Sequence, residues 1–183
     1  MSTTEKLDKA ASLPVYKYFA STVALITTHS GEKSNVMACE WTMNVCNQPL
    51  RIMSIIKKED LTHTFIMDSR EFGVNICSDQ QSQIAHLAGD TSGRLNDKLA
   101  HPLFREILSP PNRIKAPMIK GCVLSAECVV EQMLDMYEYT AFIGRAVAIR
   151  LNGKGKPLIY HKGRFAQLGA WLLKPTEEID LDN

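Results

Sequence analysis

The sequence predicts a mainly β fold with helices, organised as an antiparallel barrel that carries its helices at the ends. About seven or eight segments combine β-branched and apolar residues in strand-like patterns. Turn signals join most of them, whereas a doubly wound sheet needs a regular strand–helix alternation. About three or four helical segments are scattered irregularly among the strands.

Taken in chain order, residues 5–20 read as a helix interrupted near Pro14. "TVALITT" (22–28) is a strand, and "HSGEKS" a turn. Strands follow over 35–43 and 50–56. "DLTHTFIMDS" (60–69) has apolar residues at 61, 65 and 66, which predicts one short amphipathic helix. "EFGVNICS" (71–78) is again a strand. Ser78 with Gln81 forms a capping box opening the helix "DQQSQIAHLAG", which Gly89 stops. Residues 90–120 read as a long functional loop holding a short helix. Two long strands cover 121–133 and 138–151. Asn152-Gly153 then predicts a tight hairpin leading into "PLIYH", and "RFAQLGAWLL" closes the strand set.

The chain has 183 residues. That length predicts one domain over 1–183, with a helical N-terminal segment at 1–20 and a polar tail at 174–183. Hydrophobic residues make up 45%, enough to bury a sizeable core. The net charge of +1 offers no basic excess for nucleic acid, so no nucleic-acid partner is expected. No apolar run approaches the ~18 residues of a membrane span. "MSTTEKLDKAAS" lacks the apolar core of a signal peptide, so a cytoplasmic location with no membrane partner is expected. The five cysteines then read as free thiols.

Familiar catalytic and metal patterns are absent. No two of His29, His63, His86, His101 and His161 stand three to five residues apart, and no cysteine pair has zinc spacing, so no metal site is expected. Cys122 and Cys128, six apart, read as small buried residues on one strand face. There is no G-x-S-x-G and no G-x-G-x-x-G, and "GKGKP" reads as a turn. Two segments suit an anion. Lys57 and Lys58 precede the helix carrying Thr62 and Thr64, where free amides add to the lysine charge. Ser92, Arg94 and Lys98 share a glycine-containing loop. On pattern alone, both also read as solvated surface.

"SNVMACEWTM" (34–43) carries two methionines, a cysteine and a tryptophan. As a strand it places Asn35, Met37, Cys39, Trp41 and Met43 on one face, and Val36, Ala38, Glu40 and Thr42 on the other. Neither face is wholly apolar, so one should meet the core and the other a polar ligand or a partner subunit. Cys46 falls in the following turn on this reading.

The segments "STVALITTHSGEKSNVMACEWTM", "PLRIMSIIKKEDLTHTFIMDSREFGVNI", "AGDTSGRLNDK", "APMIKGCVLSAECVV", "FIGRAV" and "PLIYHKGRFAQLG", in this order, resemble the flavin reductase-like family of FMN-binding split barrels, in particular its flavoredoxin and ferric-reductase-like branch. The resemblance implies a six-stranded antiparallel Greek-key split barrel, a homodimer, and FMN in a groove near the subunit interface. It implies flavin-lining roles for Asn35, Met37, Ala38, Cys39 and Trp41, with Ser54, Ile55 and Lys57 bordering the ring and ribityl chain. Thr62, His63 and Thr64 match the phosphate-side turn, Asn75 and Ile76 the strand beneath the cofactor, and Ser92, Arg94 and Lys98 the loop over the phosphate. The implied chemistry is hydride transfer from NAD(P)H to FMN and onward to free flavin, ferric iron or a partner protein. The implied alternative is an FMN-binding electron carrier reduced by a partner protein. Many NADH-using members carry Gly-Asp-His ahead of the strand matching "FIGRAV"; this chain reads "LDMYEYTAFIGRAV", and "NQPL" replaces the usual Pro-Pro. His161 in "YHKGRF" is then the candidate catalytic residue on the nicotinamide side.

Overall fold

A computed structural model describes residues 15–172. The strands are β1 (Ala20–Thr22), β2 (Ala24–Ser30), β3 (Lys33–Cys39), β4 (Thr42–Asn47), β5 (Leu50–Lys57), β6 (Glu71–Ile76), β7 (Leu108–Ser109), β8 (Met118–Ile119), β9 (Leu124–Met136), β10 (Tyr139–Leu151), β11 (Ile159–His161) and β12 (Arg164–Ala166). The α-helices are α1 (Leu61–Ser69), α2 (Ser82–Asp90) and α3 (Pro102–Arg105).

Seven strands form one antiparallel sheet in the order β3-β2-β6-β9-β10-β5-β4. Its two edges belong to one stretch of chain. β3 pairs with β2, β4 pairs with β5, and only Glu40 and Trp41 separate β3 from β4. The Ile55 amide donates to the Trp41 carbonyl (3.0 Å) and the Cys39 thiol to the Ile55 carbonyl (3.5 Å), which holds the bend against β5. Residues 33–47 thus bring the two edges of the sheet together at the bend and curl it into a barrel, with no ladder between β3 and β4. A small sheet, β1-β11-β12, and the β7-β8 ladder lie beside it.

Period-two alternation distributes the core. Ala24, Ile26, Cys39, Ile52, Ile56, Phe72, Val74, Cys128 and Phe142 fill the barrel with Ile66 of α1. Their strand neighbours Leu25 and Val36 face outward, into a second cluster with Ile84, Ala85 and Ala88 of α2, Phe104 of α3 and Cys122. At Gly144 a Cβ would press on Phe72 and Cys128, so that position admits no side chain without repacking.

Several sequence expectations need correction. Of the helix expected over 5–20, residues 1–14 lie outside the described residues, as does the tail 174–183. Val15–Tyr18 form one 3₁₀ turn, and Ala20–Thr22 are already β1, because pairing with β11 overrides local helical preference. The 35–43 strand breaks at residues 40 and 41. Cys46 lies in β4 beside a register shift, not in a turn. The capping box forms only half: Gln81 Oε1 accepts from the Ser78 amide (2.9 Å), and α2 starts at Ser82. The Asn152-Gly153 turn makes no hairpin, since β11 pairs with β1 and β12 rather than with β10. Cys122 precedes β9 and joins the outer cluster while Cys128 joins the inner one, so they do not share a strand face.

Candidate functional site

The bend that closes the barrel also opens a groove. β3 runs along its floor, the start of α1 and the end of β5 form one wall, and the α2 end with the loop 91–97 forms the other. Two cavities lie end to end in it and share Met37, Ala38 and Asp60.

The first cavity, about 600 Å³, carries most of the groove's polar side chains. Asn35, Thr62, Ser92, Arg94 and Lys98 line it, with Glu59, Leu61, Gly93 and the α2 residues Ala88, Gly89 and Asp90. Asn35 Nδ2 donates to Thr62 Oγ1 (2.8 Å), fixing β3 to the first turn of α1. That turn holds no acidic residue, and the helix opens at Asp60 without a side-chain cap, so its first amide hydrogens stay unpaired by capping. A Cβ at Gly93 would overlap the Asn35 amide oxygen, so the loop approaches β3 this closely only with glycine.

Two cations converge on this end. Arg94 donates from Nε and Nη2 to the Glu59 carbonyl (3.1 and 2.9 Å) and from Nη2 to Thr64 Oγ1 (3.3 Å). Lys98 is 5% exposed, and its ammonium donates to the Ala88 carbonyl (2.9 Å) near the negative C-terminal end of α2. Among the described residues it makes no ion pair. Burial pulls its pKa down to about 8, against the opposing pull of Asp60. A buried ammonium paired only with a carbonyl leaves charge for an anionic guest to neutralise.

The second cavity, about 380 Å³, is mostly apolar. Met37, Ala38, Cys39, Trp41, Ile55 and Tyr139 line it, with Glu40, Lys57 and Asp60 at its rim. Trp41 and Tyr139 pack at 5.1 Å between ring centroids. Cys39 is buried, and burial pushes its thiol pKa up, so it stays protonated and unreactive. The arrangement suits an elongated amphiphile: an anionic end among the cations and a flat apolar end against the methionine, tryptophan and tyrosine.

Of the residues singled out in the sequence, Asn35, Met37, Ala38, Thr62, Ser92, Arg94 and Lys98 line the first cavity, and Cys39, Trp41, Ile55 and Lys57 the second. Thr64 touches Arg94 from outside the lining. Five others lie away from the groove. Ser54 points into the barrel against Thr42 Oγ1 (3.0 Å). His63 turns to Thr140 Oγ1 (2.9 Å) and packs edge-on to Phe142; burial and Lys58 push its pKa below the ordinary value. Asn75 is a buried cross-brace, donating to the Leu25 carbonyl (3.1 Å) and accepting from the Ile119 amide (3.0 Å). Ile76 packs on the inner core. His161, on β11, sets Nδ1 3.3 Å from the Phe19 carbonyl and lines neither cavity. Sequence reading missed Glu59, Asp60, Gly93 and Tyr139; the acids stood in plain view in "KKEDLTHT". It also missed a smaller cavity of about 240 Å³ behind Ala38 and Glu40, walled by His86, Tyr160 and Phe165.

Among the described residues no three His, Cys, Asp or Glu side chains are grouped to hold a metal, and no helix is long and apolar enough to cross a membrane.

An antiparallel barrel with a groove across its bend, cationic at one end and apolar at the other, defines a class of protein built to hold an elongated anionic amphiphile. The model of the flavin reductase like domain matches residues 16–169, and the chain belongs to that family. It is 26% identical over 163 residues to the reductase component of the 4-nitrophenol 4-monooxygenase/4-nitrocatechol 2-monooxygenase of Rhodococcus opacus, covering 88% of this chain and 82% of that one. The NADH:FAD oxidoreductase SgcE6 of Streptomyces globisporus C-1027 shares the fold with a TM-score of 0.78 at 17% identity, over 93% of this chain and 97% of that one. An FMN-binding protein from Thermus thermophilus does so with a TM-score of 0.79 at 22% identity, over 89% and 95%.

Proposed function

We propose that the chain binds FMN in this groove and works as an NAD(P)H-dependent flavin reductase. The observation that carries the reading is the order of the two cavities: a buried, unneutralised Lys98 with Arg94 and the α1 N-terminus at one end, an apolar wall at the other. Lys98, Arg94, Thr62 and the α1 amides would hold the phosphate. Met37, Ala38, Cys39, Ile55 and Trp41 would lie along the ring and keep water from it. Bound there, FMN would supply the redox chemistry, taking a hydride equivalent from reduced nicotinamide and passing electrons to free flavin, ferric iron or a partner oxygenase. The chain's own share is binding, ring placement and electrostatics, and the protein side of the reaction needs no side-chain acid or base. The name of the Rhodococcus relative, a reductase component, supports a role in supplying a partner.

A homodimer fits the same reading. On the outward face of β4, β5 and β10 the register aligns Met43, Met53 and Ile143 in a row beside the ring end of the groove. A second copy covering that row would also narrow the second cavity.

One observation favours an FMN-binding electron carrier as a second reading. His161 is turned to Phe19, and Gly-Asp-His is absent, so the nicotinamide side lacks both histidines expected of it. Anaerobic stopped-flow separates the two. Bleaching of bound flavin near ~450 nm, a property of the cofactor, by NADH or NADPH supports the reductase. No bleaching by either, with retained reduction by a protein donor, supports the carrier. A protein that stays colourless on mixing with FMN ends both.

A further inference from the structure

We infer that Asp60 is a selectivity residue: it weakens the groove's hold on a phosphate dianion and so makes a phosphorylated flavin an exchangeable guest. The inference rests on the flavin-binding reading above and concerns how that site chooses and releases its ligand.

Three carboxylates line the phosphate end beside the two cations: Glu59, Asp60 and Asp90. Two of them are occupied. Glu59 pairs with Lys57, and Asp90 Oδ2 lies 3.3 Å from His86 Nδ1. The Asp60 side chain has no hydrogen bond and no ion pair among the described residues. Asp60 is also the one acid common to both cavities, so it stands where the phosphate end meets the ring end.

Its backbone position sharpens the point. Asp60 precedes the first residue of α1 in an extended conformation (φ −70°, ψ 144°), yet its carboxylate caps no amide. A helix N-terminus attracts one negative group strongly. Here a resident carboxylate and an arriving phosphate compete for the same positive field. The charged groups facing Asp60 are Glu59, Lys57, Lys98 and Arg94. Burial and Glu59 push its pKa up, and the three cations pull it back. None of the three comes within ion-pair distance, so the carboxylate's charge is felt by any anion that enters. A neutral ribityl hydroxyl pays no such penalty. The groove therefore discriminates between FMN and riboflavin less than Lys98 and Arg94 alone would dictate, and FMN leaves readily.

The test is fluorescence titration of the purified full chain with FMN and with riboflavin, for the wild type, Asp60→Asn and Asp60→Ser. Asparagine and serine are both good residues at a helix start, so the fold should survive. The expected result is FMN binding about tenfold tighter in both variants, with riboflavin changed by less than about twofold. FMN binding no tighter in the variants, with riboflavin still bound, would overturn the inference and leave the flavin reading standing. Equal tightening of both flavins would overturn it too, because the carboxylate would then act on the ring or the fold. A wild type that binds neither flavin removes the reading itself. Loss of folding in both variants assigns Asp60 a structural role and likewise ends the inference.

Discussion

Asn35 Nδ2 donates to Thr62 Oγ1 across 2.8 Å, with both residues almost wholly buried (5% and 1% exposed). This bond ties the strand under the groove to the helix start that meets the phosphate end. Thr62→Val keeps the shape but leaves the Asn35 amide unpaired in a dry setting. An unpaired buried donor costs about 1–3 kcal/mol. Thermal unfolding should therefore show a lower midpoint, and FMN titration a weaker affinity, because β3 and α1 lose their relative placement. An unchanged midpoint would show that the amide finds another partner.

Lys98 sets a pH dependence with two opposite signs. Its native pKa is down to about 8, whereas an unfolded lysine titrates near ~10.4. Between those values the unfolded chain holds the extra proton, so this residue's contribution to stability rises with pH. Ligand binding runs the other way. The FMN phosphate is already a dianion above pH ~6, so its affinity should fall as pH climbs through about 8 and Lys98 loses its charge. Lys98→Met should remove that fall and weaken FMN at pH 7. FMN titrations across this range in both proteins check it; parallel pH profiles would exclude Lys98 as the group responsible.

Cys39 and Trp41 separate packing from contact. Cys39 is buried with a raised pKa and donates to the Ile55 carbonyl (3.5 Å). Serine can keep that bond, so Cys39→Ser should retain flavin at slightly lower stability. Trp41 is 38% exposed and packs on Tyr139 at the ring end. Trp41→Ala should loosen the flavin by removing apolar wall area, at a cost of about 1–3 kcal/mol. Flavin lost from the cysteine variant and kept in the tryptophan variant would reverse these roles.

What was legible in the sequence follows from which physical signals are local. Period-two alternation is local, and it located β2, β3, β5, β6, β9 and β10 within a few residues, whereas β4 was merged with the end of β3 and its Cys46 read as a turn. Strand pairing is not, which is why Asn152-Gly153 read as a hairpin although β11 crosses to β1. The site showed the same division. Met37, Ala38, Arg94 and Lys98 were legible as chemistry in a loop or on a mixed strand face. Ser54 faces the barrel interior against Thr42 and Ile55 the groove, because β5 alternates regularly there. Thr62 and His63, adjacent in α1, diverge by the ~100° between successive helix residues, and His63 ends against Phe142. Asp60 was passed over because its meaning depends on α2 and the loop 91–97 folding back over it.

Glu127 holds the loop ahead of β8. It is 2% exposed, and its carboxylate accepts from the amides of Asn112 (2.8 and 2.9 Å), Arg113 (2.6 Å) and Ile114 (3.2 Å). Hydrogen bonds to a charged group are each worth about 1.5–3 kcal/mol, and orphaned amides add to the loss. Glu127→Ala should therefore destabilise the fold by about 3 kcal/mol or more. Urea unfolding measures this directly. Glu127→Gln should recover part of it, since the amide oxygen still accepts.

The outward face of β4, β5 and β10 tests the proposed dimer. Met43 is 51% exposed, Leu134 and Met136 at the adjoining end of β9 are 51% and 43% exposed, and the register sets Met43 beside Met53 and Met53 beside Ile143. Contiguous apolar area of this kind on a barrel marks an association surface. Arg51 and Arg145 both pair with Glu131 (2.7 Å each), fixing a charged border on the side away from the groove. A two-fold contact would set the methionine row of one copy against that of the other. Met43→Lys with Met53→Lys would place four like charges in such an interface, while in a monomer both lysines simply reach water. Light scattering coupled to size exclusion should find a dimer for the wild type and a monomer for the double variant. Since that row borders the second cavity, the monomer should also bind FMN more weakly. A monomeric wild type, or a variant that stays dimeric, would move the interface elsewhere.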